Sequence, residues 1–154
     1  MTMEKTCCFT GHRELPQEKR PEIEAALRQE LTAAIADGYT RFLCGFAKGA
    51  DLMFAALVSE LKGQIPGLRL EAAIPYLSRL YQKDRAFHDL VAACDDMKII
   101  SEKNTRDCYH TRNRYMVDEA SRVIAVYDGR EKGGTRYTIN YATKQEKEVR
   151  TIHI

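Results

Sequence analysis

Three glycine-bearing turns hold the residues best suited to chemistry: Thr10-Gly11-His12-Arg13, Gly45-Phe46-Ala47-Lys48-Gly49-Ala50-Asp51 and Gly133-Gly134-Thr135. Each follows a short apolar run and precedes a helical pattern, so each belongs where a strand hands over to a helix. Helix N-termini there present free backbone N–H groups and a partial positive charge. Glycine lets the backbone approach a ligand closely and adopt φ > 0 at little cost. Three such turns in 154 residues point to a cleft for phosphate or nucleotide at the carboxyl ends of the strands.

Each turn carries its own donors. Thr10 offers a hydroxyl and Gly11 a close backbone approach, while His12 and Arg13 can meet a phosphate or carboxylate. The second turn matches neither well-defined glycine motif, because Lys48 precedes Gly49 and only two glycines are present. In it Gly45 ends the strand and Gly49 opens the helix. Asp51 then serves either the helix dipole or a ribose hydroxyl. In the third turn Gly133, Gly134 and Thr135 supply consecutive N–H donors to one phosphate, with the Thr135 hydroxyl as a fourth. The plain alternative makes Thr135 an ordinary N-cap. The segment Tyr109–Asp118 adds a helix dense in donors and aromatics. There Asn113 is short and polar at an apolar-facing position, Arg114 reaches toward the cleft, and Tyr115 is placed to stack on a base. The competing reading is a solvated helix face.

The positioning elements follow from the apolar texture. Cys7-Cys8-Phe9, Phe42-Leu43-Cys44, Ala72-Ala73-Ile74, Ile99-Ile100 and Val123-Ile124-Ala125-Val126 are short and continuous, as suits strands buried on both faces. Ile23, Leu27, Leu31 and Ile35 recur every four residues, after Pro21 and before Gly38, and mark a helix with conventional ends. Further helices are expected over about 50–61, from Leu77-Ser78 through Cys94, over about 107–121 and over about 135–147. Val149–Ile154 alternates apolar with polar and reads as a strand near a sheet edge. The fold class expected is α/β: a Rossmann-like, doubly wound, mostly parallel sheet of about six strands with helices on both faces. Residues 1–154 are expected to form a single domain.

Composition narrows the partners. Twenty-four basic and 22 acidic side chains give a formal net charge of +2, which argues against nucleic acid or membrane as partner. No apolar run spans a bilayer and residues 1–5 lack a signal-peptide core, so a cytoplasmic protein is expected. The five cysteines show no C-x-x-C pairing, so no metal site is expected, and the thiols read as small buried hydrophobes. Tyr76, Tyr81, Tyr137 and Tyr141 suit either an interface between copies of the chain or ordinary packing.

Taken together, Cys8-Phe9-Thr10-Gly11-His12-Arg13, Gly45-x-x-x-Gly49-Ala50-Asp51, Arg112-Asn113-x-Tyr115-Met116-Val117-Asp118 and Gly133-Gly134-Thr135 resemble the YpsA-like branch of the SLOG superfamily. That superfamily is named for the DNA-processing Smf proteins and the Lonely Guy phosphoribohydrolases. The resemblance spans essentially the whole chain. It implies a bacterial, cytoplasmic, Rossmann-like domain binding a nucleotide-like small molecule such as AMP, NAD or ADP-ribose, as a sensor or regulator. The ligand-binding set it suggests is Thr10, Gly11, His12, Arg13, Gly45, Lys48, Gly49, Asp51, Asn113, Gly133, Gly134 and Thr135. One departure concerns catalysis. The phosphoribohydrolases carry P-G-G-x-G-T-x-x-E, and Thr138 stands where that glutamate would fall. A nucleotide or ribosyl hydrolase would therefore depend on Asp51 or Asp128, or on Glu119. Single-stranded DNA binding is the third reading.

Overall fold

The apolar run of the first strand extends into β1 (Lys5–Gly11), where successive side chains alternate between two buried faces. A computed structural model describes residues 4–154. Five further strands follow in alternation with five helices: α1 (Arg20–Ala36), β2 (Tyr39–Cys44), α2 (Ala50–Lys62), β3 (Arg69–Tyr76), α3 (Arg85–Ala93), β4 (Asp96–Ser101), α4 (Cys108–Glu119), β5 (Arg122–Tyr127), α5 (Gly134–Lys144) and β6 (Glu148–His153). All neighbouring strands pair in parallel, in the order β4-β3-β2-β1-β5-β6. This is the α/β, Rossmann-like sheet the alternating pattern predicts, with β6 at an edge.

The sheet separates two apolar layers. Cys7, Phe9, Phe42, Cys44, Ile74, Ile124 and Val126 face α1, α2 and α3. Cys8, Leu43, Ala73 and Val123 face α4 and α5 through Met116, Val117 and Ala142. On the larger side Phe54 of α2 stacks on Phe9 with ring centroids 4.7 Å apart and lies 6.4 Å from Phe42. Helix α1 buries Ile23, Leu27 and Leu31, as their spacing predicts, and ends before Gly38 at φ +93°.

Strand order decides where a ligand can sit. From β1 the chain winds one way through β2, β3 and β4, then crosses back to place β5 on the other side of β1. The reversal opens a crevice above the carboxyl ends of β1 and β5.

The helix expected from Leu77 through Cys94 is divided. Leu77–Tyr81 is a 3-10 turn, and α3 starts only at Arg85. Asp84 breaks the run by capping α3, its side chain accepting from the Ala86 N–H at 3.1 Å. The break leaves Ser78, Arg79 and Tyr81 on a projecting loop beside the crevice. Helix α5 ends three residues before Lys147, where Glu146 takes a positive φ of 60°.

Candidate functional site

The first two turns are fastened to each other. The Ala50 N–H, at the start of α2, donates to the His12 carbonyl at 3.0 Å. Gly49 makes this possible: at φ +85°, a Cβ there would stand 2.2 Å from the Arg13 carbonyl oxygen. Gly11 is equally confined, since its Cβ would meet that of Ala50 at 2.6 Å.

Above these contacts lies a cleft of about 610 Å³, within the usual range for small-molecule sites. Its walls include Thr10, Gly11, His12 and Arg13 from the first turn, Lys48 and Asp51 from the second, Gly133, Gly134 and Thr135 from the third, and Asn113 from α4. The structure thus gathers ten of the twelve expected ligand-binding residues around one space. Gly45 and Gly49 stand behind the wall, where their lack of a side chain lets other groups approach.

At the third turn α5 begins at Gly134 after an N-cap glycine, Gly133, at φ 117° with no side-chain cap. Among the described residues, no side chain caps the first-turn N–H groups. Thr135 is buried at the cleft margin and is not that cap.

On the floor lies a buried arginine. Arg112 is only 6% exposed. Its Nη1 donates to the carbonyls of Gly45 at 3.0 Å and Ala73 at 3.3 Å, and its Nε to Asn113 Oδ1 at 2.8 Å. This fixes the Asn113 amide with its oxygen turned to Arg112 and its Nδ2 toward Gly134. In the sequence Arg112 enters only as the first residue of the Arg112-Asn113-x-Tyr115-Met116 motif. The sharper signal is that Cys108, Arg112 and Met116 repeat every four residues, which sets an arginine on an apolar stripe. Tyr109, His110 and Arg130 also line the cleft; the first two open the donor-rich segment marked in the sequence, while Arg130 gave no signal there. The Arg13 guanidinium lies over the Tyr109 ring at 5.4 Å, with Arg112 on it at 5.6 Å.

The acidic candidates differ sharply. Asp51 is 7% exposed, and its Oδ2 accepts from the Ala47 N–H at 3.1 Å. Burial pushes its carboxyl up to about 6, against the opposing pull of Arg112, Ala47, Arg13 and Arg79. Asp128 is clamped by Arg130, with Nη2 at 2.6 Å from Oδ2 and Nε at 3.0 Å from Oδ1. Those bonds hold its carboxyl well below the usual range, so it stays ionised. Its backbone N–H donates to His12 Nε2 at 3.1 Å. Burial keeps His12 neutral by lowering its pKa, so the equal 3.1 Å approach of Asp128 Oδ1 to Nε2 is not an ion pair. Glu119 sits at the far end of α4, bonded to Arg41 at 3.1 Å.

Two expected contacts lie elsewhere. Tyr115 points away from the cleft and donates to Glu71 Oε2 at 2.6 Å. Arg114 is turned to the Tyr137 hydroxyl at 2.7 Å. Both belong to the packing of α4 rather than to the cleft wall. Thr138 is fully buried and donates to the Gly134 carbonyl at 2.8 Å. Cys7, Cys8, Cys44 and Cys108 are buried free thiols, and burial pushes Cys8 up to about 12. Tyr141 donates to Asp118 at 2.6 Å, while Tyr81 stays 76% exposed. No helix among the described residues is long and apolar enough to cross a membrane.

Comparison with known proteins gives this arrangement a context. The model of the YpsA family, described as YspA SLOG family, matches residues 7–154. UPF0398 proteins from Bacillus thuringiensis (strain Al Hakam) and Bacillus cereus (strain AH187) are 24% identical over 137 residues, covering 85% of this chain and 74% of theirs. Among solved structures, DNA processing protein A from Helicobacter pylori superposes with a TM-score of 0.63 at 17% identity, over 96% of this chain. The chain spans 64% of that protein, which is described as having a unique single-stranded DNA binding mode. The structural-genomics target TM1055 matches with a TM-score of 0.58 at 18% identity, over 94% of this chain and 72% of its own. At such identities the likeness establishes the shared fold.

Proposed function

The chain belongs to the YspA SLOG family, and from that premise we propose that it binds a nucleotide or nucleotide-derived ligand in the cleft above β1 and β5. In this reading residues 1–154 form one binding domain of a cytoplasmic sensor or regulator. The observation that carries it is the start of α5. A glycine N-cap leaves the first-turn N–H groups open, and Gly133, Gly134 and Thr135 share the cleft with Arg13. That combination suits a phosphate: donors and helix dipole on one side, a guanidinium on the other. Tyr109 offers a ring for a base, and Asn113 an amide for hydrogen bonding.

Turnover of the ligand would rest on Asp51. A carboxyl held near 6 at the cleft floor can take or give a proton near neutral pH, whereas Asp128 is locked as an anion. Thr138 offers no carboxylate and faces its own helix.

The test is Gly134→Asp. A Cβ at Gly134 meets only Asn113 Nδ2, at 3.8 Å, so the fold accepts the change while a carboxylate enters the cradle. AMP and ADP-ribose should bind at least about tenfold more weakly to this variant by calorimetry. Unchanged affinity would place the phosphate elsewhere.

A second reading is single-stranded DNA in the same cleft. The near-neutral total charge conceals a local excess: Arg13, Lys48 and Arg79 gather at one rim, beside the exposed Tyr81. It requires affinity that falls with salt by about 0.7 in log–log slope for every phosphate neutralised. A salt-insensitive association would rule it out.

A further inference from the structure

Beside the cleft, over the ends of β2 and β3, lies a second cavity of about 620 Å³. Arg13 and Lys48 line both spaces, so the two meet along a shared wall. Its remaining lining comes from the loop after β3: Tyr76, Ser78, Arg79, Tyr81, Gln82 and Asp84.

The charges in this cavity are unevenly satisfied. Arg13 and Arg79 have no carboxylate within 4 Å among the described residues, and Lys48 has only Glu14 at 3.9 Å, both side chains being exposed. The acid at the rim, Asp84, is occupied as the cap of α3. The Arg79 guanidinium rests over the Phe87 ring at 5.3 Å. Two guanidiniums, an ammonium and a serine hydroxyl therefore line this space against a single carboxylate, Asp84, an excess of positive charge. Such donors select a phosphate. The bare ring of Tyr81 adds a platform for a base.

Distance sets the length of what could fill both spaces. The Gly133–Thr135 turn follows β5, and Arg79 follows β3. Three strand spacings, on the order of 14 Å, separate those strand ends across β1 and β2. One nucleotide fills the first cleft; a ligand touching both ends needs a second unit.

We propose that the Arg13–Lys48–Arg79 cavity is a second phosphate-and-base subsite of the same ligand, which makes that ligand a dinucleotide rather than a nucleoside monophosphate. This rests on the nucleotide reading of the first cleft. Arg13 stands at the junction and contacts both halves, while Arg79 and Tyr81 hold the outer half.

Calorimetry with AMP, NAD and 5′-phosphorylated diadenylate separates the alternatives. At least one dinucleotide should bind about tenfold more tightly than AMP: NAD if the link is a pyrophosphate, the diadenylate if it is a phosphodiester. Arg79→Ala should remove most of that gain and leave AMP binding as in the wild type. Tyr81→Ala, at an exposed position, should do the same to a smaller degree. Equal affinity for AMP and both dinucleotides, or an equal loss for all three in Arg79→Ala, overturns the second subsite while leaving the first cleft standing. Binding of none of the three overturns the nucleotide reading and the subsite together.

Discussion

A Cβ on Gly45 would stand 2.4 Å from Nη1 and 2.6 Å from Cζ of Arg112, so the arginine occupies the volume that any side chain there would need. The glycine that ends β2 and the arginine buried under the cleft are thus one device, 67 residues apart in sequence. Arg112 in turn orients Asn113 and lies near Asp51, joining α4 to the second turn.

Gly45→Ala should therefore displace the guanidinium and break its bonds to the Gly45 and Ala73 carbonyls. Hydrogen bonds to charged groups contribute about 1.5–3 kcal/mol each, so losing both is expected to cost about 3–6 kcal/mol in chemical denaturation. Nucleotide affinity should fall with it. A variant as stable as wild type would show that Arg112 has another low-energy position.

The ionisation of Asp51 gives stability a predictable slope with pH. In the unfolded chain this carboxyl loses its proton near 3.8, and in the fold near 6. Stability is thus whole below pH 3.8 and is lost as pH rises through about 6. The cost above pH 6 is on the order of 2–3 kcal/mol. Asp51→Asn keeps an acceptor for the Ala47 N–H and removes the charge, so it should be more stable than wild type at pH 8. The advantage should shrink toward pH 4. Urea titrations at both values decide; a variant equally destabilised at both would contradict it.

Restoring the phosphoribohydrolase glutamate should fail. Thr138 is completely buried, with its hydroxyl bonded to the Gly134 carbonyl. Thr138→Glu would put a carboxylate where no partner waits, costing roughly 2–4 kcal/mol. Release of free base from AMP by a folded Thr138→Glu protein would show instead that this helix face opens to the cleft.

Away from the site, Phe54→Ala tests the core. Phe54 is fully buried and stacked on Phe9, so truncation should cost about 3–5 kcal/mol. Ligand affinity of the molecules that remain folded should be unchanged, because Phe54 does not line the cleft.

Much of this was legible in the letters. Ile23, Leu27 and Leu31 declared α1 by spacing, and Gly49 marked a helix start because its conformation and close contacts tolerate little else. What the sequence withheld depends on distant partners. The burial of Arg112 is set by carbonyls on β2 and β3. The contrast between Asp51 and Asp128 comes from depth in one case and Arg130 in the other. The split of the third helix turned on Asp84, whose capping role competes with a plausible apolar period. The charge excess at the Arg13 rim is invisible in a net charge of +2, since counting ignores position.

Thermal unfolding of the wild-type protein with AMP, ADP, NAD and ADP-ribose shows whether the cleft holds a nucleotide. A ligand at about a hundred times its dissociation constant adds roughly 2.7 kcal/mol, a rise of several degrees for a chain of this size. Chromatography of each mixture shows what became of the ligand. A rise with at least one of the four and recovery of the ligand intact are expected; free base or phosphate would instead show turnover, with Asp51→Asn then expected to abolish it. No rise with any of them would contradict the nucleotide cleft itself.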